Sequence, residues 1–233
     1  MVRTMTFLPA EDHAVVSCPT CGTAVTVPNL PVLDLAFDRG ARDRIQRGNV
    51  VLAACDACGH EVEPDGMLVL MNSEQRWAVV RVPGTQEDVL ASPGLRERFD
   101  MLRADGFTIR TVRDTRQLLE KARVLDLELD DRVIEYLKAK LLEAEPDGAH
   151  ASFVSLDADE LGRPCLLLAV TEATERAASS YLTISRDEHD AAIDDVRVAV
   201  ASRNEPEGLT RVDAIYGREL ARILAEYHRR TEW

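Results

Sequence analysis

Hydrophobic and polar residues alternate or cluster in short blocks along the first quarter of the chain. Two of these blocks, Thr23 to Val27 and Val32 to Ala36, have the alternating or apolar character of strands. The stretch from Asp38 to Arg47 has helical character, and Gly48 predicts the end of this helix. A third apolar block, Asn49 to Ala54, predicts another short strand. We therefore expect a β-rich N-terminal part that carries one helical insert.

Two further strands are predicted on either side of a polar turn at residues 72–75. They are Met67 to Leu70 and Trp77 to Val82, and we expect them to complete the sheet of the N-terminal part. A less patterned stretch follows and leads to an amphipathic block from Leu95 to Leu102. This stretch has the character of a connection.

Two consecutive helices are predicted between Thr115 and Leu142. Asp130 is the expected N-cap of the second helix, because its side-chain oxygen can accept from the free amides of the first turn. Apolar residues recur at helical spacing on one face of each helix, namely Leu118, Leu119, Ala122 and Leu125 on the first, and Val133, Ile134, Leu137 and Leu141 on the second.

The last third of the chain mixes strands and helices. Phe153 to Leu156 and Pro164 to Thr171 predict a hairpin, and Tyr181 to Ile184 predicts a third strand. Ser185 and Glu188 have the spacing of a capping box, which opens a helix. A last helix presents an apolar stripe that we expect to pack in a core, formed by Tyr216, Leu220, Ile223, Leu224 and Tyr227.

Two cysteine pairs with matched surroundings predict a metal site. Cys18 and Cys21 form one Cys-x-x-Cys-Gly sequence and Cys55 and Cys58 form another, and each sequence places two thiolates on one tight turn. Two such turns make a zinc ribbon, and four thiolates close the tetrahedral coordination of one structural zinc ion per chain. The 33 residues between Cys21 and Cys55 exceed the usual spacing of about 15 to 20. The insert must therefore be ordered.

Other roles for the cysteines are less well supported. A thioredoxin-like redox pair needs a βαβ setting and a helix N-terminus, and neither pair opens a helix. The first ten residues lack the apolar stretch of a signal peptide, so we expect a cytoplasmic protein with reduced thiols instead of a disulfide framework. Cys165 lies in an apolar run and is predicted to be a buried, inert thiol. His60 is interpreted as a hydrogen-bond partner of a thiolate or of the turn, because four cysteines already complete the site.

These elements define an α+β protein in three parts. Residues 1–84 are predicted to form a zinc-ribbon-like β domain with a helical insert. Residues 85–146 form a connecting helical region with two linking helices, and residues 147–233 form a C-terminal α+β domain.

Composition and charge narrow the function. With 45% apolar residues among 233, the chain can bury a sizeable core, and it has no apolar run long enough to span a membrane. The net charge of −13 opposes association with phosphate backbones. Aspartates interleave the basic residues of the insert helix, which favours a solvated face over a nucleic-acid contact. Those basic residues are Arg39, Arg42, Arg44 and Arg47.

The cysteine motifs and the later helices together resemble the bacterial CpXC-domain family. The resemblance rests on Cys18-Pro19-Thr20-Cys21, on Cys55-Asp56-Ala57-Cys58-Gly59-His60, on the long insert between them and on residues 115–142. It implies a shared fold and a metal site at the paired Cys-Pro-x-Cys motifs, and it implies no activity. Asp56 stands where the second motif would have proline. The second turn therefore lacks a residue that would restrict its backbone, but it keeps both metal ligands.

The chain lacks the catalytic motifs that would indicate an enzyme. It has no Gly-x-Gly-x-x-Gly, no P-loop, no Gly-x-Ser-x-Gly and no His-Glu-x-x-His, and a closed set of four cysteines leaves zinc no open position. We therefore expect a protein-interaction or self-assembly module that binds a protein partner or a second copy of the chain. Two alternatives stay open: a sensor of thiol oxidation or zinc occupancy, and a zinc ribbon that binds nucleic acid.

Overall fold

The computed structural model describes residues 13–28, 32–48, 50, 53–62, 66–82, 93–143, 145, 148–172, 180–203 and 212–231. Over these residues the protein is a mixed α+β structure with six helices and four separate sheets, in agreement with the predicted fold class. The chain divides into two compact units, residues 1–122 and 123–233. This division differs from our three predicted segments, which remain a prediction about independent folding.

The first unit holds eight strands in its described part. In chain order its elements are β1 (His13–Ser17), β2 (Ala24–Pro28), β3 (Val32–Asp34), α1 (Arg39–Gln46), β4 (Ala53–Ala54), β5 (Glu61–Val62), β6 (Leu68–Asn72), β7 (Trp77–Arg81), α2 (Pro93–Ala104) and β8 (Thr108–Val112). Helix α3 (Thr115–Asp126) follows, and the division between the units falls within it.

Two small antiparallel hairpins carry the cysteine turns. Strands β1 and β2 pair from His13 opposite Pro28 to Ser17 opposite Ala24, and β4 pairs with β5 in the same antiparallel sense. The predicted strand in residues 23–27 is thus confirmed as β2. Within residues 49–54 the structure shows a strand at Ala53–Ala54, while residues 49, 51 and 52 lie outside the described part.

The main sheet of the first unit has four strands in the order β3-β6-β7-β8. Strands β6 and β7 are antiparallel, whereas β3 runs parallel to β6 and β8 runs parallel to β7. Every residue of β6 and β7 is buried, which explains their nearly continuous apolar sequences.

The position of this sheet corrects one prediction and adds one strand. We expected β6 and β7 to complete the sheet of the cysteine hairpins, but they pair with β3 and β8 instead, and the hairpins form separate sheets. Strand β8 was not predicted at all. Parallel pairing needs a crossover segment between the partners, and the segments between β3 and β6 and between β7 and β8 contain helices α1 and α2.

The insert helix forms as its sequence indicates. Asp38 is the N-cap of α1, and its Oδ1 accepts from the backbone N–H of Ala41 at 3.0 Å. The helix ends at Gln46, and Gly48 follows with a φ of 74°, a conformation that glycine adopts without steric cost.

The second unit packs three helices on a three-stranded antiparallel sheet. After the last part of α3, its elements in chain order are α4 (Asp131–Leu142), β9 (His150–Ala158), β10 (Pro164–Thr171), β11 (Ser180–Ser185), α5 (Arg186–Ser202) and α6 (Ala214–Thr231). Strand β10 is central, between β9 and β11. The predicted hairpin, the third strand and both C-terminal helices are therefore confirmed.

The helix caps of the second unit also match the sequence signals. Asp130 Oδ1 accepts from the backbone N–H of Arg132 at 2.9 Å at the start of α4. At the start of α5, Ser185 Oγ accepts from the backbone N–H of Glu188, and the Glu188 carboxylate accepts from the backbone N–H of Ser185 at 2.9 Å. This reciprocal pair is the predicted capping box.

Helix α4 belongs to the core of the second unit. Its residues Val133, Ile134 and Tyr136 are buried in one cluster with Phe153 of β9 and Leu220 of α6. The helix that we assigned to a connecting region therefore supplies part of the apolar core on which the C-terminal strands and helices pack.

Among the described helices, none combines the length and the apolar content that crossing a membrane requires.

Candidate metal centre

The first cysteine turn is a tight hairpin loop between β1 and β2. The backbone N–H of Cys18 donates to the carbonyl of Thr23 at 2.8 Å, and the N–H of Gly22 donates to the carbonyl of Cys18 at 2.9 Å. Gly22 has a φ of 72°, which lets the chain turn back immediately after Cys21. The two thiols of this turn are thereby held on the same side of the loop.

The second turn repeats this geometry between β4 and β5. The N–H of Cys55 donates to the carbonyl of His60 at 2.8 Å, the N–H of Gly59 donates to the carbonyl of Cys55 at 2.8 Å, and Gly59 has a φ of 71°. Asp56, which stands in the position of the motif proline, leaves these distances unchanged relative to the first turn. The hydrogen bonds and the glycine are therefore sufficient to form the turn.

The two turns bring all four predicted cysteines together. The ligand atoms of Cys18, Cys21, Cys55 and Cys58 all lie within 4.8 Å of one another. The Sγ atoms of Cys18 and Cys58 are 3.7 Å apart, and those of Cys21 and Cys55 are 3.5 Å apart. All five cysteines lie in the described part of the chain, and each is free of a disulfide. The cluster could hold a metal ion.

The first cysteine of each pair faces the interior and the second faces solvent. Cys18 and Cys55 are buried, with Val25, Val27 and Val62 packed around them, whereas Cys21 and Cys58 are exposed. The small apolar cluster fixes the two hairpins against each other beneath the sulfur atoms. One side of the cluster is thus open to solvent and to solutes.

The two exposed thiols, Cys21 and Cys58, have pKa values shifted in opposite directions. A hydrogen bond with the Thr23 hydroxyl, whose Oγ1 lies 3.3 Å from Cys21 Sγ, and the Thr23 backbone lower the pKa of Cys21 to about 6. The backbone N–H of His60 lowers the pKa of Cys58. Hydrogen bonds with Cys21 and the other nearby thiols, together with desolvation of the thiolate, outweigh this effect and raise the pKa to about 12. The neighbouring thiols thus favour the ionisation of Cys21 and oppose that of Cys58, and a bound cation would remove that opposition.

Sequence reasoning named the four cysteines that the structure brings together, and it missed one residue that contacts them. Thr23 is the residue it missed, although a hydroxyl two positions after the second cysteine of a pair is a readable signal. Cys165 lies in β10 of the second unit, where it is buried as predicted. His60 supplies its backbone carbonyl to the second turn while its side chain is exposed.

The arginines of the insert helix are only partly described. Arg47 donates through Nε to the carbonyl of Asp43 at 3.2 Å, and Arg42 is exposed. The side chains of Arg39 and Arg44 lie outside the described part of the structure.

Comparison with known proteins assigns the family. The family model of the CpXC protein matches residues 16–138, which is more than half of the chain and includes both cysteine turns. The chain belongs to the CpXC family. No curated protein and no solved structure matches the chain.

Proposed function

We propose that the protein binds one structural zinc ion through the thiolates of Cys18, Cys21, Cys55 and Cys58. The observation that carries this proposal is the convergence of the four ligand atoms within 4.8 Å of one another. Four sulfurs at about 2.3 Å from one tetrahedral zinc ion would lie about 3.8 Å apart. Two Sγ–Sγ separations in the cluster, 3.5 and 3.7 Å, are close to that value, and an all-thiolate tetrahedral set favours zinc among the common divalent ions.

Elemental analysis of protein purified without added metal tests this proposal. We expect one zinc ion per chain in the wild type and in Cys165→Ser, and loss of the metal in Cys18→Ser and in Cys55→Ser. Cys165→Ser is the control for the removal of a thiol, because Cys165 is the one cysteine outside the cluster. Iron in place of zinc, or loss of the metal in Cys165→Ser, would contradict the assignment.

The biological role that we propose is an interaction module. A closed set of four protein ligands leaves the metal no position for a substrate, so the zinc ion would contribute folding energy instead of catalysis. Exposed apolar side chains lie close in sequence to the site: Val15 on β1 is 70% exposed, and Phe37, which follows β3, is 75% exposed. These side chains suit contact with a protein partner or with a second copy of the chain.

Light scattering and native pull-down of the zinc-loaded protein test this role. We expect association that weakens in Val15→Ser and Phe37→Ser and persists in Leu161→Ser, a matched control in the second unit with a side chain that is 76% exposed. The acidic chain should bind an oligonucleotide only weakly at physiological salt. A monomer without a protein partner that nevertheless binds an oligonucleotide tightly would favour the nucleic-acid-binding alternative.

A sensor of thiol oxidation or zinc occupancy is a second candidate, favoured by the exposure of Cys21 and Cys58. Solvent-exposed thiolates are accessible to peroxide, and their oxidation would release the metal. Mild peroxide should then release zinc stoichiometrically, and reduction followed by added zinc should restore the original content. If the protein retains zinc at peroxide concentrations that oxidise a free thiol, the sensor hypothesis is contradicted and only the structural role of the metal stands.

A further inference from the structure

The second unit has a cleft that is lined by none of the cysteine-turn residues. It has a volume of about 430 Å³ and is lined by the end of α4, the start of β9 and one side of α6. This size falls within the range of about 300 to 1,000 Å³ that is typical of small-molecule sites. Most of its lining is apolar and small, and six of the residues are alanines: Ala139, Ala149, Ala151, Ala214, Ala221 and Ala225.

The close approach of two helices fixes one boundary of this cleft. A Cβ atom built at Gly217 of α6 would overlap the backbone carbonyl of Glu135 on α4, so the helix backbones are in direct contact there. The lining residue Arg218 follows Gly217 directly, and Lys138 lies three residues after Glu135. The walls are therefore rigid elements held by backbone contact and by the core, as a preformed site requires.

The charged groups of the cleft are mostly cationic. Among the described residues, Lys138, Arg218 and Arg222 line it together with the carboxylate of Glu143, although the chain as a whole carries a net charge of −13. Only a cation that no carboxylate of the protein already neutralises attracts an anion to this position.

The cations differ in how far they are already neutralised. Lys138 Nζ is 2.9 Å from Glu135 Oε1 in a buried pair, and Arg222 Nη1 is 2.7 Å from Glu226 Oε1. Arg218, in contrast, makes no ion pair with any part of the chain that the structure describes, and its side chain is exposed. A guanidinium can bind a carboxylate through two parallel N–H donors. Arg218 is thus the cation available to a ligand.

We propose that this cleft binds a small organic monocarboxylate with a short apolar body. Arg218 pairs with the carboxylate, and the alanine-lined wall receives the apolar body. A neutral molecule of the same shape loses the ion pair, and an inorganic anion loses the apolar contact. Both parts of the ligand are therefore needed for binding.

Hexanoate is a suitable probe. It is titrated into the full-length protein, and binding is monitored through the amide chemical shifts of the protein. We expect saturable shifts at residues of α4, β9 and α6, with a dissociation constant on the order of 1 mM for so small a ligand. Arg218→Ala should weaken binding about tenfold through loss of a charge-assisted hydrogen bond. Ala225→Leu should block the cleft, since Ala225 is exposed within it. Hexanamide and inorganic phosphate should each bind at least about tenfold more weakly than hexanoate.

Arg197→Ala is the matched control, because Arg197 is an exposed arginine on α5 that does not line the cleft. It should bind hexanoate like the wild type, and all variants should keep the wild-type unfolding temperature. An equal loss in Arg197→Ala, equal affinity for hexanamide, phosphate that binds as tightly as hexanoate, or shifts that never saturate would each overturn the proposal. None of these measurements depends on metal at the cysteine cluster.

Discussion

Single residues decide the geometry of the cysteine turns. Gly22 and Gly59 have φ values of 72° and 71°, in the left-handed region where a side chain raises the energy of the backbone. Apart from the glycine and its chain neighbours, no atom of the described residues lies within 4 Å of a Cβ built at either position. Glycine is therefore required at these two positions because of the backbone conformation, and not because a side chain would clash with a neighbouring atom.

Replacement of Gly22 by alanine should lower the unfolding free energy of the zinc-loaded protein by about 1 kcal/mol. Gly22→Asn should cost less, because asparagine tolerates the left-handed region better. Gly66→Ala is the control: a Cβ there also meets nothing within 4 Å, and its φ lies outside the left-handed range. Denaturant unfolding measures all three variants. An equal cost in Gly66→Ala would show that conformation is not the cause.

The convergence of the four cysteines follows largely from local sequence. Both cysteine turns are local: each is set by five consecutive residues, and the hydrogen bonds from Cys18 to Thr23 and from Cys55 to His60 span only five positions. The contact between Thr23 and Cys21 was missed, because an exposed threonine is an ordinary residue in a turn. Pattern alone does not reveal which hydroxyls approach a sulfur atom.

Among the elements, helices and their caps were predicted well and sheet partners were not. Asp130 and Ser185 cap their helices through contacts with residues two or three positions away. The pairing of β3 with β6 joins Val32 to Val69, and no local signal reports such a distant partner. Strand β8 was missed because Arg110 interrupts its apolar residues, although Ile109 and Thr111 are buried.

The capping box of α5 should have a measurable dependence on pH. Ser185→Ala should cost about 1 kcal/mol at neutral pH through loss of the cap. Hydrogen bonds from the Ser185 hydroxyl and backbone hold the pKa of Glu188 below its ordinary value of 4.5. A carboxyl group with a lowered pKa in the folded state stabilises above its unfolded pKa, and that stability is lost as pH falls through the folded value. The cost of Ser185→Ala should therefore shrink as the pH falls below the ordinary pKa of the Glu188 carboxyl, 4.5.

Ser202→Ala on the same helix is the control for this experiment. Its hydroxyl donates to the carbonyl of Val198 at 3.0 Å near the C-terminal end of α5, where it neither caps the helix start nor contacts Glu188. Unfolding measured between pH 3 and pH 7 should show a small effect without this pH dependence. A cost of Ser185→Ala that stays constant over the same range would contradict the assigned role of Glu188.

The contact between α4 and α6 should tolerate no side chain at Gly217. Alanine there would place its Cβ against the carbonyl of Glu135, and overpacking of this kind costs about 1 to 3 kcal/mol. Gly94 of α2 is also a helical glycine, but a Cβ there meets nothing within 4 Å. Gly94→Ala should therefore be neutral or stabilising. Thermal unfolding of both variants distinguishes the two cases, and a neutral Gly217→Ala would show that the helices can separate without cost.

At the scale of the whole molecule, the second unit uses no residue of the cysteine cluster. Its core is built from α4, the three-stranded sheet and the two C-terminal helices, and Cys165 is its single cysteine. The predicted boundary at residue 146 separates α4 from that core. The division at residue 122 keeps α4 with the elements on which it packs.

A fragment of residues 123–233 should therefore unfold cooperatively, with a midpoint that a zinc chelator does not change. A fragment of residues 147–233 lacks Val133, Ile134 and Tyr136 of the core, so it should expose apolar surface and aggregate or unfold without cooperativity. Circular dichroism during thermal unfolding, with and without chelator, tests both fragments. If the shorter fragment folds cooperatively, the predicted boundary at residue 146 is the true one, and α4 is a linking helix that only docks on a finished domain. If chelator unfolds the longer fragment, the second unit depends on a metal. Its folding is then not independent of metal binding, contrary to the prediction.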